Sequence, residues 1–160
     1  MTLKIDGYVP PSTDTALSQG VTFVYPTPYG EITIRSKLAG RTNTKYRLAM
    51  THFTEWQQRR KNLNKGGADD EADERLIGIV HDHLVIDWST TIKSEGTEIV
   101  PTRENFVALL MSPACPNVLS VYLSDAADEA HFRPETVADD AGNSPTPSDG
   151  SSDGRPKKNG

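Results

Sequence analysis

A chain of 160 residues falls within the usual roughly 100–200 residues of one domain, and its 35% hydrophobic content and mean hydropathy of −0.55 leave material for one modest core. No stretch approaches the ~18 apolar residues of a membrane span, and the single Cys115 rules out an internal disulfide and a cysteine-based zinc cage within one chain. The net charge of −5 is unevenly spread: residues 1–65 hold ten Lys/Arg against four Asp/Glu, whereas residues 66–137 hold four against fourteen. Such a charge dipole suits self-association or docking on a charged protein, with nucleic acid a lesser alternative.

Met1 to Asp6 has neither the apolar region nor the cleavage site of a signal peptide, so the chain is expected to stay in the cytosol where it is made. Pro10-Pro11 and scattered Ser, Thr and Asp make residues 1–20 a flexible leader with no packed element. Val21-Thr22-Phe23-Val24-Tyr25 and Glu31 to Leu38 both alternate in polarity around Pro26-Thr27-Pro28-Tyr29-Gly30, which predicts a β-hairpin with one buried face.

From Thr42 the period becomes helical, with Tyr46, Ala49, Met50, Phe53 and Trp56 on one stripe and a basic end running from Gln57 to Lys65. Gly66-Gly67 breaks this helix. A second begins at the acidic run Asp69-Asp70-Glu71, carries Ile77, Val80 and Leu84, and passes into an extended stretch through Trp88 and a polar turn near Ser94-Glu95-Gly96. Thr102 is the expected N-cap of a third helix bearing Phe106, Leu109 and Leu110. Pro113 and Pro116 separate it from a last helix, starting at Asn117, with Leu119, Tyr122, Leu123, Ala126 and Ala130. The fold class is therefore mainly α with a small N-terminal β-hairpin, a compact helical domain over 21–137. Residues 138–160, which lack large apolar side chains, form a disordered tail or linker.

Signals of chemistry are weak. His81 and His83 stand two apart on a helix, about 200° from each other, and so cannot easily share a metal ion. Cys115 has no catalytic signature around it, Asp125, Asp128 and Glu129 read as a wet face, and Gly66-Gly67 lacks the phosphate-loop spacing. No catalytic residue, cofactor or metal is expected, and Phe53 and Trp56 beside the basic helix end read as core more than as a nucleic-acid platform.

Five segments occur in a telling order: Asn43-Thr44-Lys45-Tyr46, Val85-Ile86-Asp87-Trp88, Lys93-Ser94-Glu95-Gly96, Ile99 through Val107, and Ser124 through Phe132. The set is similar to the tail assembly chaperones of long-tailed, siphovirus-like bacteriophages, with one departure: Thr102 follows Pro101 directly, without the aromatic residue often found there. The resemblance implies a non-enzymatic protein of the host bacterial cytoplasm that binds the tape measure protein, helps recruit tail tube subunits, and is absent from the mature virion. A structural tail or head-completion component and a small nucleic-acid-binding protein are the competing readings. Candidate client contacts are Trp88, Phe106, Leu110 and Tyr122, large side chains that a small core could spare, together with Arg59 and Arg60 at the basic helix end. Interior placement is the opposing expectation, weightier for Phe106 and Leu110. Such chaperones are often made in two lengths by ribosomal frameshifting, and Lys157-Lys158-Asn159 can be encoded by the slippery heptamer A-AAA-AAC.

Overall fold

The computed structural model describes residues 3–63 and 69–133. The expected hairpin is present as β1 (Val21–Thr27) and β2 (Gly30–Ser36), antiparallel with Phe23 opposite Ile34 and Tyr25 opposite Ile32. Alternation does its work here: Val21, Tyr25, Ile32, Ile34 and Ser36 are buried, while Thr22, Val24 and Glu31 are exposed. Pro26, which cannot donate to a ladder, lies in β1, an edge strand.

Two helices follow. In α1 (Thr44–Asn62) and α2 (Asp69–His83) the periodic stripes are where the sequence puts them, but they are buried to different depths. Ile77, Val80 and Leu84 are core, whereas on α1 Phe53 is buried and Tyr46, Ala49, Met50 and Trp56 are half-buried. A long helix whose main neighbour is one other helix covers only a narrow line of its surface. Trp56 compensates with its ring, which stacks on Phe53 at 5.7 Å and lies under the guanidinium groups of Arg60 and Arg75 at 4.7 and 4.5 Å.

The stretch after α2 becomes β3 (Val85–Thr90), which pairs antiparallel with β2 and makes a three-stranded sheet in the order β1-β2-β3. A small ribbon comes next, β4 (Lys93–Ser94) and β5 (Thr97–Glu98). In α3 (Arg103–Met111) the expected cap is observed, with Thr102 Oγ1 accepting from the Asn105 amide at 3.1 Å. In α4 (Val118–Ala127) Tyr122 and Ala126 are buried. The helix stops short of Ala130 because Asp128 turns extended and caps a 3-10 turn, Glu129–Phe132, by accepting from the Ala130 amide at 2.9 Å. The α2, α3 and α4 helices pack on one sheet face around Ile32, Ile34, Val80, Phe106 and Tyr122, a two-layer α+β arrangement.

The leader is shorter than expected. Thr15–Gln19 form one π-helical turn, and Ala16 packs with Val21, Leu38 and Phe132 in a second small cluster. A methyl-sized side chain is enough to seat this turn, which a composition-based reading cannot distinguish from a loop. The expected tail, with Lys157 and Lys158, lies outside the described residues.

Asn43 joins three elements. Its Oδ1 accepts from the Tyr46 amide at 3.2 Å, capping α1, while Nδ2 donates to the carbonyls of Leu38 at 3.2 Å and His83 at 3.3 Å. Replacing a cap residue costs about 1 kcal/mol and stranding buried carbonyls adds a similar amount, so Asn43→Ala is expected to lose about 2 kcal/mol in urea unfolding. Asn43→Ser, which keeps a capping oxygen, should recover only about half of that loss.

Candidate partner-binding surface

The six contact residues expected from the sequence are not gathered on one surface. Trp88, Phe106, Leu110 and Tyr122 are 5%, 0%, 8% and 0% exposed, so they are corrected from client contacts to core. Trp88 stands opposite Ile34 on β3 and meets the Phe106 ring edge-on at 5.4 Å; Tyr122 donates its hydroxyl to Ser36 Oγ at 2.7 Å. The third strand and α4 give this fold more interior than the apolar fraction suggested, and large side chains fill it first. Arg59 is exposed, and Arg60 is engaged with Glu71 at 2.9 Å and with Trp56.

The histidine pair also has a structural setting. Asp82 between them accepts from Arg103 Nε at 2.8 Å and Nη2 at 3.2 Å, and lies 3.3 Å from His81 Nδ1, which clasps α2 to the start of α3. Gly78 lies directly beneath this pair, and a Cβ there would push the Arg103 guanidinium aside. Partial burial pushes the Asp82 carboxyl up, but the hydrogen bonds from Arg103 and His81 outweigh it and hold the group below the usual carboxylate range. Elsewhere, burial and a 2.8 Å hydrogen bond to Asp125 push the Tyr25 phenol far up. Among the described residues no group of three or more His, Cys, Asp or Glu side chains is placed to hold a metal ion.

What the structure does assemble is a partly open groove of about 720 Å³ between the β4–β5 ribbon and α3. Ile92 and Leu109 are buried beneath it, Ile99 and Ala108 line it, and two exposed apolar side chains border it: Tyr29 (67% exposed) from the β1–β2 turn and Val100 (61%) before Pro101. Its walls are fixed. Asn105 Nδ2 reaches back to the Val100 carbonyl at 2.9 Å, and Glu95 and Gly96, with φ of 49° and 78°, close the ribbon in the doubly positive-φ turn that matches strand twist. Sequence reasoning passed over this site because it read Ser94-Glu95-Gly96 as a polar turn. The signal that could have found it is the two-residue turn Glu95-Gly96 between Ser94 and Thr97, with an apolar residue stranded before a proline.

The ordered segments noted in the sequence take structural roles: Asn43 caps α1, Thr102 caps α3 while Asn105 ties it to Val100, and Asp128 sets the turn that buries Phe132. Residues 41–143 match the family model described as YdaY prophage protein. The chain belongs to the YdaY prophage protein family. It is phage-derived, and apart from Tyr29 the groove is built from the YdaY-matched stretch. No curated protein and no solved structure matches the chain.

Two substitutions probe this region. Asp82→Asn is expected to cost under about 1 kcal/mol at pH 7, since the ion pair is half exposed and screened by solvent. A carboxyl depressed in the folded state stabilises it above its unfolded value near ~4 and loses that contribution as pH falls through the lower folded value. Urea midpoints of variant and wild type should therefore differ at neutral pH and converge below about pH 4. Glu95→Asn places a residue tolerant of positive φ in the turn and is expected to raise stability by about 0.5–1 kcal/mol, read from thermal unfolding.

Proposed function

We propose that this YdaY-family chain is a tail assembly chaperone. It binds the tape measure protein in the host cytoplasm, helps bring tail tube subunits to it, performs no catalysis, and leaves before the virion is complete. The observation that carries this reading is that the prophage-family match over residues 41–143 spans the whole ordered set of chaperone-like segments, from Asn43 to Phe132. The groove, with Ile92, Ile99, Ala108 and Leu109 along it and a polar rim, supports it physically. A long helical client exposes apolar stripes before it is packaged, and a holding protein must offer apolar surface without a deep, enclosing pocket.

Co-expression with the tape measure protein of the same prophage is expected to keep that protein soluble and to yield a complex on affinity purification. Mass spectrometry of purified particles should then find the chain absent. Many copies of it in mature virions would instead make it a structural component and overturn the proposal. The Lys157-Lys158-Asn159 codons belong to the same reading: a heptamer able to slip, followed by an overlapping frame, would encode a longer form of the chaperone.

A further inference from the structure

Resting on the chaperone reading, we infer that the groove between the β4–β5 ribbon and α3 takes one amphipathic helix of the client, a helix whose apolar stripe is flanked by lysine or arginine. The apolar track is longer than the groove itself. Ala108 is shared between the groove and a neighbouring depression of about 260 Å³ that contains Val107 and Met111, so the track crosses the outer face of α3 where a larger residue would dam it.

Charge around the track has an acidic excess. Glu95 and Glu98 line the ribbon wall, Glu74 and Glu104 line the depression, and Lys93 is the groove's cation; Arg103 is already matched by Asp82. Lys93 itself stands opposite Glu98 in the ribbon register. A client stripe with acidic flanks would be repelled from this rim, and one with basic flanks attracted. The ribbon strands are two residues each, too short to hold an extended peptide by main-chain pairing, so side-chain burial must carry the contact. That is the mode of a helix presenting residues at i, i+3, i+4 and i+7. Glu95 adds weight, because it keeps a carboxylate at the rim in a left-handed conformation where asparagine or glycine would be easier.

The test uses the full chain and two synthetic 18-residue helical peptides with one leucine stripe, flanked by lysine in one and glutamate in the other, read by fluorescence anisotropy. Wild type is expected to bind the lysine peptide at least tenfold more tightly. Ala108→Arg and Glu95→Lys, both at exposed positions, should each weaken it tenfold or more, with thermal unfolding confirming that the variants fold. Glu55→Lys, which makes the same change in net charge on α1, should stay within twofold of wild type. Equal binding of the two peptides, full binding by Ala108→Arg, or an equal loss in Glu55→Lys would each overturn the inference. The two proposals separate in the co-expression assay: a wild-type chain that does not keep the tape measure protein soluble sinks the chaperone reading, whereas Ala108→Arg working as well as wild type sinks only the groove.

Discussion

Three successive amides on leaving β2 are tied to three different parts of the chain. Lys37 donates to the Leu84 carbonyl at 2.8 Å, where α2 meets β3; Leu38 donates to Ala16 at 2.8 Å; and Ala39 donates to Ala126 at 2.7 Å, in the last turn of α4. Ser36 Oγ donates to the Lys37 carbonyl and receives the Tyr122 hydroxyl, and the Leu38 carbonyl receives Asn43 Nδ2. Ser36 and Leu38 are fully buried, so each of these polar groups had to find a partner inside the protein. A register shift between Arg35 and Ser36 is what frees the strand to turn toward three partners in sequence.

This joint sets the relation between the two apolar clusters. Leu38 belongs to the small cluster of Ala16, Val21 and Phe132, and Tyr122, hydrogen-bonded to Ser36, belongs to the main one. Phe23 leans on both, with its ring 6.5 Å from Tyr122 and 6.2 Å from Phe132. Gly20 closes the approach from the other side, since a Cβ there would meet the Ser36 carbonyl at 2.6 Å and Ile86 at 2.5 Å. At the far end of the α1–α2 pair the described residues hold together differently: Phe53 belongs to neither cluster, and Trp56, Arg60, Arg75 and Glu71 make ring and charge contacts.

Elements governed by period and capping chemistry were legible in the sequence. The hairpin, the four helices, the Thr102 cap and the start of the last helix after Asn117 all rest on local rules that tertiary packing left intact. The partnership of β3 with β2 was not legible, because Val85-Ile86-Asp87-Trp88 follows a helix without a break and only the sheet gives it a face. The contact residues misled for a related reason. Large side chains are not the ones a small core spares, because a packed interior takes its largest side chains first. The large apolar residues left outside the core include Tyr29 in a turn and Val100 before a proline, where backbone geometry and not amphipathic pattern decides exposure.

The segments that carry the family resemblance turn out to be instructions for folding. Asn43 ends the approach to α1, Thr102 and Asn105 begin α3, and Asp128 turns the chain so that Phe132 can close the second cluster. A capping residue is constrained by backbone groups of its own chain, so it reports on the scaffold whatever the scaffold holds. A second group of residues is free of that duty. Around the groove these are Tyr29, Glu95, Glu98 and Ala108, which border it without capping a helix or filling the core. Their side chains answer to no backbone group of the scaffold, so a substitution at one of them leaves the caps and the Ser36–Ala39 joint in place.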